Sequence, residues 1–169
     1  MKKQYTVAPV IKNEKMTVTF EDLTSEGMGV AKVEGYPLFV ADGLPGERAT
    51  IKVTKVGKSF GFARIEERLS SSPDRIPTRD VKGTRVGTMP LQNLRYSAQL
   101  AFKKNNVEQV MKRIAKMPEV EVKPTIGMEN PWGYRNKAQI PVRQKDGKLV
   151  TGFFRTNTHE LIPMENFQI

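Results

Sequence analysis

The sequence contains no cysteine, only one histidine and no long apolar run. Without cysteine the chain has no disulfide, no thiolate ligand for zinc or an iron–sulfur cluster, and no thiol nucleophile. One imidazole leaves few routes to metal binding or general-base catalysis. Since no stretch approaches the roughly 18 apolar residues of a membrane-spanning helix, we expect no membrane contact and a cytoplasmic location.

Acidic residues are also in deficit, with 18 Asp and Glu against 28 Lys and Arg, a net charge of +10. This excess favours a polyanionic partner, nucleic acid before anionic lipid. The stretch 131–150 has a local net charge of +4, because it contains five basic residues and Asp146 as its one acidic residue. With 169 residues, 38% of them hydrophobic, the chain is long enough for one globular domain or two small ones.

The first third of the chain has the pattern of short β-strands separated by turns. Runs that are apolar or alternate in period two are followed by turn signals such as Asp42-Gly43 and Pro45-Gly46. Several short strands at close spacing predict a small barrel over residues 1–70. The predicted strands are residues 16–20, 29–33, 37–40, 49–56 and 59–65.

The rest of the chain predicts a connection followed by a small α+β region. Residues 71–94 contain three prolines and two glycines and predict an irregular linker. A helix is predicted over 96–116, with Leu100, Val107, Val110, Met111 and Ile114 on one apolar face. Antiparallel strands are predicted at 119–123, 137–143 and 148–154, the last two forming a hairpin around Asp146-Gly147.

Basic and aromatic residues alternate near the end of the predicted barrel. Phe60, Phe62 and Arg64 share one face of a strand, and three lysines precede them. Small OB-type barrels bind single strands with a basic groove and an aromatic platform. The phenylalanines could equally point inward, because a small barrel needs large core residues. The candidate RNA-binding residues here are Lys52, Lys55, Lys58, Phe60, Phe62 and Arg64.

A second basic cluster begins after Trp132, a residue that could stack on a base or fill the core. On a strand, Arg135, Lys137 and Gln139 would face one way and offer donors to phosphates or base edges. A merely solvated strand face is the alternative. The candidate RNA-binding residues of this cluster are Arg135, Lys137, Gln139, Arg143 and Arg155.

Several of these segments resemble the RNA uracil-5-methyltransferase family. Residues 27–35, 37–40 and 44–47 are similar to the TRAM domain, an OB-like RNA-binding barrel. The order of segments, barrel first, resembles these enzymes more than the methylthiotransferases that also carry a TRAM domain. The segments similar to the central domain of the family are residues 91–100, 134–139 and 151–155, with His159 and Pro163.

The resemblance implies methyl transfer from S-adenosylmethionine to carbon 5 of a uridine in 23S ribosomal RNA. In that family the nucleophilic cysteine, the carboxylate that removes the C5 proton and the cofactor site belong to a C-terminal Rossmann-like domain. It therefore implies no catalytic and no cofactor-binding residue in this chain, and S-adenosylmethionine only for a full-length enzyme. Many members also hold an iron–sulfur cluster with cysteines, but residues 75–89 have none, so we expect no cluster and no other metal.

We therefore expect a TRAM barrel at residues 1–70, a linker at 71–94 and part of a central domain at 95–169, with the catalytic domain absent from this chain. The chain would be the monomeric RNA-recognition part of a 23S rRNA uracil-5-methyltransferase, inactive by itself. A stand-alone TRAM-type RNA-binding module without catalytic activity is the alternative. A protein-interaction domain whose charge serves only solubility is a more distant one.

Overall fold

The computed structural model describes residues 7–156 and 158–164. The chain divides into two compact units, Met1–Arg75 and Ile76–Ile169. The described residues are mainly β, with an OB-like curled sheet first and a small α+β region with one long helix after it, which confirms the predicted fold class. Neither helix in the described ranges is both long and apolar enough to cross a bilayer.

Six strands of the first unit form one sheet in the order β1-β5-β6-β4-β3-β2. Strands β4 and β6 pair in parallel and the other neighbours are antiparallel. Because β1 and β3 also come into contact without pairing, the sheet curls around its core. The strands are β1 (Lys15–Thr19), β2 (Asp22–Leu23), β3 (Gly29–Val33), β4 (Tyr36–Val40), β5 (Arg48–Val56) and β6 (Gly61–Arg68).

The core of this unit comes from alternate residues of its central strands. Leu38 and Val40 in β4 and Ile51 and Val53 in β5 are all fully buried. Burial of each such side chain stabilises the fold by roughly 1.5–3 kcal/mol. The five predicted strands are confirmed with boundary shifts of a few residues; β2 was not predicted, because two residues are too short to show a period.

A buried carboxylate closes the first unit at its C-terminal end. Glu47 is completely inaccessible, and its oxygens accept hydrogen bonds from Arg75 at 2.5 and 2.9 Å and from the amides of Leu44 and Ser72 at 3.1 Å. Arg75 also contacts Asp42 at 3.0 Å. Residues 72–75 are thereby fastened to the loop that follows β4, so the first unit extends to Arg75.

The second unit contains two helices and an antiparallel sheet in the order β7-β8-β9. The predicted hairpin is confirmed, with Lys145 opposite Lys148 across the Asp146-Gly147 turn. The elements are α1 (Val81–Val86), α2 (Tyr96–Arg113), β7 (Val142–Lys145), β8 (Lys148–Phe154) and β9 (Leu161–Pro163).

The stretch 71–94 contains the short helix α1, which the sequence analysis did not predict. The side chain of Asp80 caps this helix by accepting from the amide of Lys82 at 2.9 Å, and Gly87 ends it in the left-handed region. The side-chain amide of Gln92 makes two hydrogen bonds to the backbone of Asp80. Its Oε1 accepts from the Asp80 N–H at 2.7 Å, and its Nε2 donates to the Asp80 carbonyl at 2.8 Å. Side-chain hydrogen bonds therefore fix residues 80–92 locally where composition suggested only a linker.

Helix α2 is confirmed, but the apolar face predicted for it is not buried. None of its residues is fully buried, and Val107, Val110 and Ile114 are 49%, 49% and 75% exposed. Leu100 and Met111 are half-buried. Among the described residues, the segment around 125–134 packs along the N-terminal half of the helix, so its C-terminal half stays open.

The alternation at residues 119–123 produces no strand, so that prediction is wrong. The predicted strand at 137–143 is also wrong over residues 137–141, since pairing begins at Val142. Pro141 lacks the N–H that would continue the ladder of hydrogen bonds. Its carbonyl accepts a hydrogen bond from the N–H of Gly152 in β8 at 3.3 Å.

Candidate nucleic-acid interface

Three phenylalanine rings form a cluster on the outer side of the first unit's sheet. The ring centroids of Phe39 and Phe60 lie 5.4 Å apart, those of Phe60 and Phe62 5.7 Å, and those of Phe39 and Phe62 5.9 Å. Phe60 is 42% exposed and the other two rings are half-buried. Rings that support one another while one side meets solvent can act as a stacking platform for a base.

The strand pattern explains why these rings face outward. In β6 the residues on both sides of Phe62 are buried, and the same holds for Phe39 in β4. The parallel pairing of β4 with β6 places Phe39 directly opposite Phe62. The sequence alone leaves the direction of Phe60 and Phe62 open; the structure places neither in the core.

Three lysines border the aromatic cluster. Lys55 lies opposite Phe62 in the β5–β6 pairing, Lys58 lies in the connection between those strands, and Lys52 lies opposite Arg64. Lys55 and Lys58 are exposed, and Lys52 is half-buried. We call the following six residues the aromatic–basic face: Phe39, Lys52, Lys55, Lys58, Phe60 and Phe62.

Arg64 borders this face but is already paired with a carboxylate. Its Nε donates to Glu66 Oε1 at 2.8 Å, and Lys15 Nζ lies 3.2 Å from Glu66 Oε2. Hydrogen bonds from Arg64 and Lys15 lower the pKa of the Glu66 carboxyl. An anionic partner would therefore have to compete with Glu66 for Arg64.

The second cluster does not form the strand face that its alternation predicts. Arg135, Lys137 and Gln139 are exposed, and they lie in a stretch without strand pairing. Their side chains therefore have no common direction imposed by a pleat. The structure brings them to the surface but does not assemble them into one array.

The other two arginines of that cluster have neighbours of their own. Arg143 in β7 lies over the ring of Phe154, 5.5 Å from its centroid. Arg155 pairs with Glu160 at 3.2 Å. His159 lies 6.5 Å from Phe154, ring to ring, and is exposed. In the described ranges, His, Asp and Glu form no group that could hold a metal ion.

Phe39 is the functional candidate that sequence reasoning missed. It lies far from Phe60 and Phe62 in the chain and is joined to them by the parallel pairing of β4 with β6. The alternation of residues 36–40 does carry a signal, since Tyr36, Leu38 and Val40 are one inward-facing set. Phe39 is therefore the one aromatic residue of β4 that points away from the core.

The sequence of this chain is similar to a known domain family and to known proteins. Residues 9–65 match the sequence model of the TRAM domain. The chain is 58% identical over 161 residues to an uncharacterised RNA methyltransferase of Enterococcus faecalis and 47% identical over 162 residues to one of Halalkalibacterium halodurans. The matches cover 95% and 96% of this chain but only 35% of each relative.

A solved structure has a similar fold. It is the tRNA (uracil-54, C5)-methyltransferase of Pyrococcus abyssi in complex with S-adenosyl-L-homocysteine, with a TM-score of 0.57 and 24% sequence identity. The match covers 90% of this chain and 32% of that protein. At this identity the similarity concerns the fold alone.

Proposed function

We propose that this chain, whose residues 9–65 are a TRAM domain, is the RNA-binding part of an RNA methyltransferase. The names of its relatives support the reaction class, although the chain spans only about a third of their length. We further propose carbon 5 of uridine as the methylated position. This rests on the resemblance of residues 91–100, 134–139 and 151–155 and on the name of the structural neighbour.

The finer substrate assignment is 23S ribosomal RNA, which rests on the sequence resemblance alone. An RNA-modifying role would place the chain in the cytoplasm, where it would act as a monomer. S-adenosylmethionine would supply the methyl group, and the described residues have no strand–glycine loop–helix unit of the kind that binds such a cofactor. The resemblance carries neither its site nor any catalytic residue over to a position in this chain.

The observation that carries the proposal is the aromatic–basic face. Its open phenylalanine rings can receive unpaired bases by stacking, while Lys55 and Lys58 reach the phosphates beside them. Stacking is tolerant of base identity and phosphate contacts carry no sequence information. The face would therefore hold a single-stranded loop in register rather than read its sequence.

Two variants test the two halves of this face separately in the 169-residue chain. Because each lysine that meets a phosphate releases counterions, Lys55→Ala/Lys58→Ala should reduce the slope of log affinity against log salt by about 1.4. Phe60→Ala should leave that slope unchanged and weaken binding at every salt concentration, by about 1–3 kcal/mol. The measurement is fluorescence anisotropy of a labelled single-stranded RNA across a salt titration.

The matched control is Lys112→Ala/Arg113→Ala, which removes two exposed positive charges from the last turn of α2. We expect this control to change the slope less than the variant at the aromatic–basic face. Equal slopes for the two double variants would show that the net charge acts without a localised footprint. Affinity unchanged in Phe60→Ala would remove the stacking platform from the proposal.

A further inference from the structure

The second unit contains a pocket of about 320 Å³, and no residue of the aromatic–basic face lines it. Ligand pockets for small molecules typically begin near 300 Å³, so this one is large enough for a planar heterocycle. Three aromatic residues, two side-chain amides and one cation are among its lining residues: Tyr96, Gln92, Gln99, Lys103, Trp132 and Tyr134. Among the described lining residues, Lys103 is the only charged one.

Helix α2 provides one wall of the pocket. Tyr96, Gln99 and Lys103 follow one another at spacings of three and four residues, so they lie on one helix face. Gln99 is held in place because its Nε2 donates to the carbonyls of Leu91 and Leu94 at 3.1 and 2.9 Å. This wall is therefore ordered by hydrogen bonds before any ligand arrives.

Pro131, Trp132 and Tyr134 also line the pocket, and they follow a segment that is fastened to the helix. The amide of Met128 donates to Tyr96 Oη at 2.8 Å, and Thr125 Oγ1 donates to the carbonyl of Leu100 at 3.0 Å. The guanidinium of Arg79 lies over the Trp132 ring, 4.6 Å from its centroid. This cation–π contact restrains the indole and adds a second positive group next to the pocket.

Flat aromatic walls, an amide and neighbouring cations are the chemistry that recognises an unstacked nucleotide. Aromatic rings stack on the base, a side-chain amide oxygen can accept from its polar edge, and a cation meets its phosphate. An apolar protein side chain would use the rings but would leave Lys103 without a role. We propose that this pocket binds one unstacked nucleobase of the RNA, with Lys103 facing the adjoining phosphate. This inference rests on the proposed RNA-binding function and adds a second, separate contact to it.

Trp132 is the only tryptophan of the chain, so its fluorescence reports on this pocket directly. Uridine 5′-monophosphate, adenosine 5′-monophosphate and a short single-stranded RNA are titrated into the 169-residue chain, with excitation at the red edge of the indole band. We expect saturable quenching by the RNA and by at least one mononucleotide. Tyr134→Ala should raise the dissociation constant obtained from the quenching curve about tenfold, as expected for the loss of one stacked ring. Tyr134→Phe should keep the dissociation constant of the parent chain.

Lys103→Ala should also weaken quenching by the RNA, whereas Lys112→Ala, an equal charge change on the same helix, should not. RNA that raises the anisotropy of its label without quenching Trp132 would overturn the pocket and leave the proposed function standing. Saturable quenching by a mononucleotide without RNA binding would support the pocket and contradict the proposed function. Quenching equal in Tyr134→Ala and the parent chain would also overturn the pocket.

Discussion

Glu47 shows how one residue can determine the integrity of the first unit. Its carboxylate is fully buried, and hydrogen bonds reach it from Arg75, Leu44 and Ser72. Burial raises the pKa of this carboxyl, but the hydrogen bond from Arg75 and those from the two amides together outweigh burial. The pKa therefore lies below the ordinary value of 4.5, and the ionised form is the one that the fold stabilises.

We expect Glu47→Gln to lower the free energy of unfolding at neutral pH by about 1–3 kcal/mol, because Arg75 loses its buried partner and keeps the half-exposed Asp42. The measurement is urea denaturation followed by far-UV circular dichroism. The control is Glu66→Gln, which removes an ion-paired carboxylate from the surface of the same unit and should lower the free energy of unfolding much less. A loss at Glu47 no larger than the loss at Glu66 would contradict the structural role given to the buried carboxylate.

The pH dependence of stability follows from the direction of this shift. A carboxyl whose folded pKa is depressed contributes stability above its unfolded pKa and loses that contribution as pH falls through the folded value. The parent chain should therefore lose stability on acidification below about pH 4.5. Glu47→Gln should lose less over the same range, because it has no carboxylate to protonate. Parallel pH curves for the two chains would count against this assignment.

At the scale of elements, local signals in the sequence were sufficient where the structure is also local. The Asp146-Gly147 turn is an example: both residues have positive φ, 51° and 75°, which is the geometry that this dipeptide favours between paired strands. The strands of the first unit are likewise visible as period-two runs, because one face of each meets a core. The hairpin and the strands of the first unit other than β2 were therefore predictable.

Features that depend on distant partners were not predictable. Residues 119–123 alternate as a strand would, yet the described residues supply no strand to pair with them. Helix α2 is amphipathic in sequence, but Val107 and Val110 on its apolar face are half exposed, because packing covers only the N-terminal half of the helix. Phe39 joins the candidate interface through the non-local pairing of β4 with β6. Periodicity identifies a face but not what will cover it.

The close approach of β8 and β9 leads to a prediction for this sheet. A Cβ at Gly152 would collide with the carbonyl of Ile162. A Cβ at Gly147 would meet no atom, and the strain of a side chain there comes from its φ of +75° alone. We expect Gly152→Ala to destabilise the second unit by about 3 kcal/mol and Gly147→Ala by about 1 kcal/mol. Urea denaturation followed by Trp132 fluorescence reports on this unit, and an equal or reversed order would show that β9 tolerates displacement.

For the whole molecule, the two units have separate tasks in the proposed function. The aromatic–basic face belongs to Met1–Arg75, and the Trp132 pocket belongs to Ile76–Ile169. The net charge of +10 is divided unevenly, with +2 in residues 1–75 and +8 in residues 76–169, so charge favours the second unit for RNA binding whereas the aromatic–basic face lies in the first. The RNA binding of each unit therefore has to be measured separately. A fragment that represents the first unit must contain all the residues that stabilise it.

Composition places that boundary near residue 70, but the contacts of Glu47 place it at Arg75. A fragment of residues 1–75 keeps the buried core, Ser72 and Arg75, so we expect it to unfold cooperatively and to keep a salt slope that depends on Lys55 and Lys58. A fragment of residues 1–70 removes Arg75 and the Ser72 amide from Glu47 but keeps Arg68, whose Nε lies 3.3 Å from Glu47 Oε2, so it should be less stable by about 1–3 kcal/mol. Urea denaturation of both fragments measures the difference, and equal midpoints would show that residues 71–75 contribute nothing to the first unit.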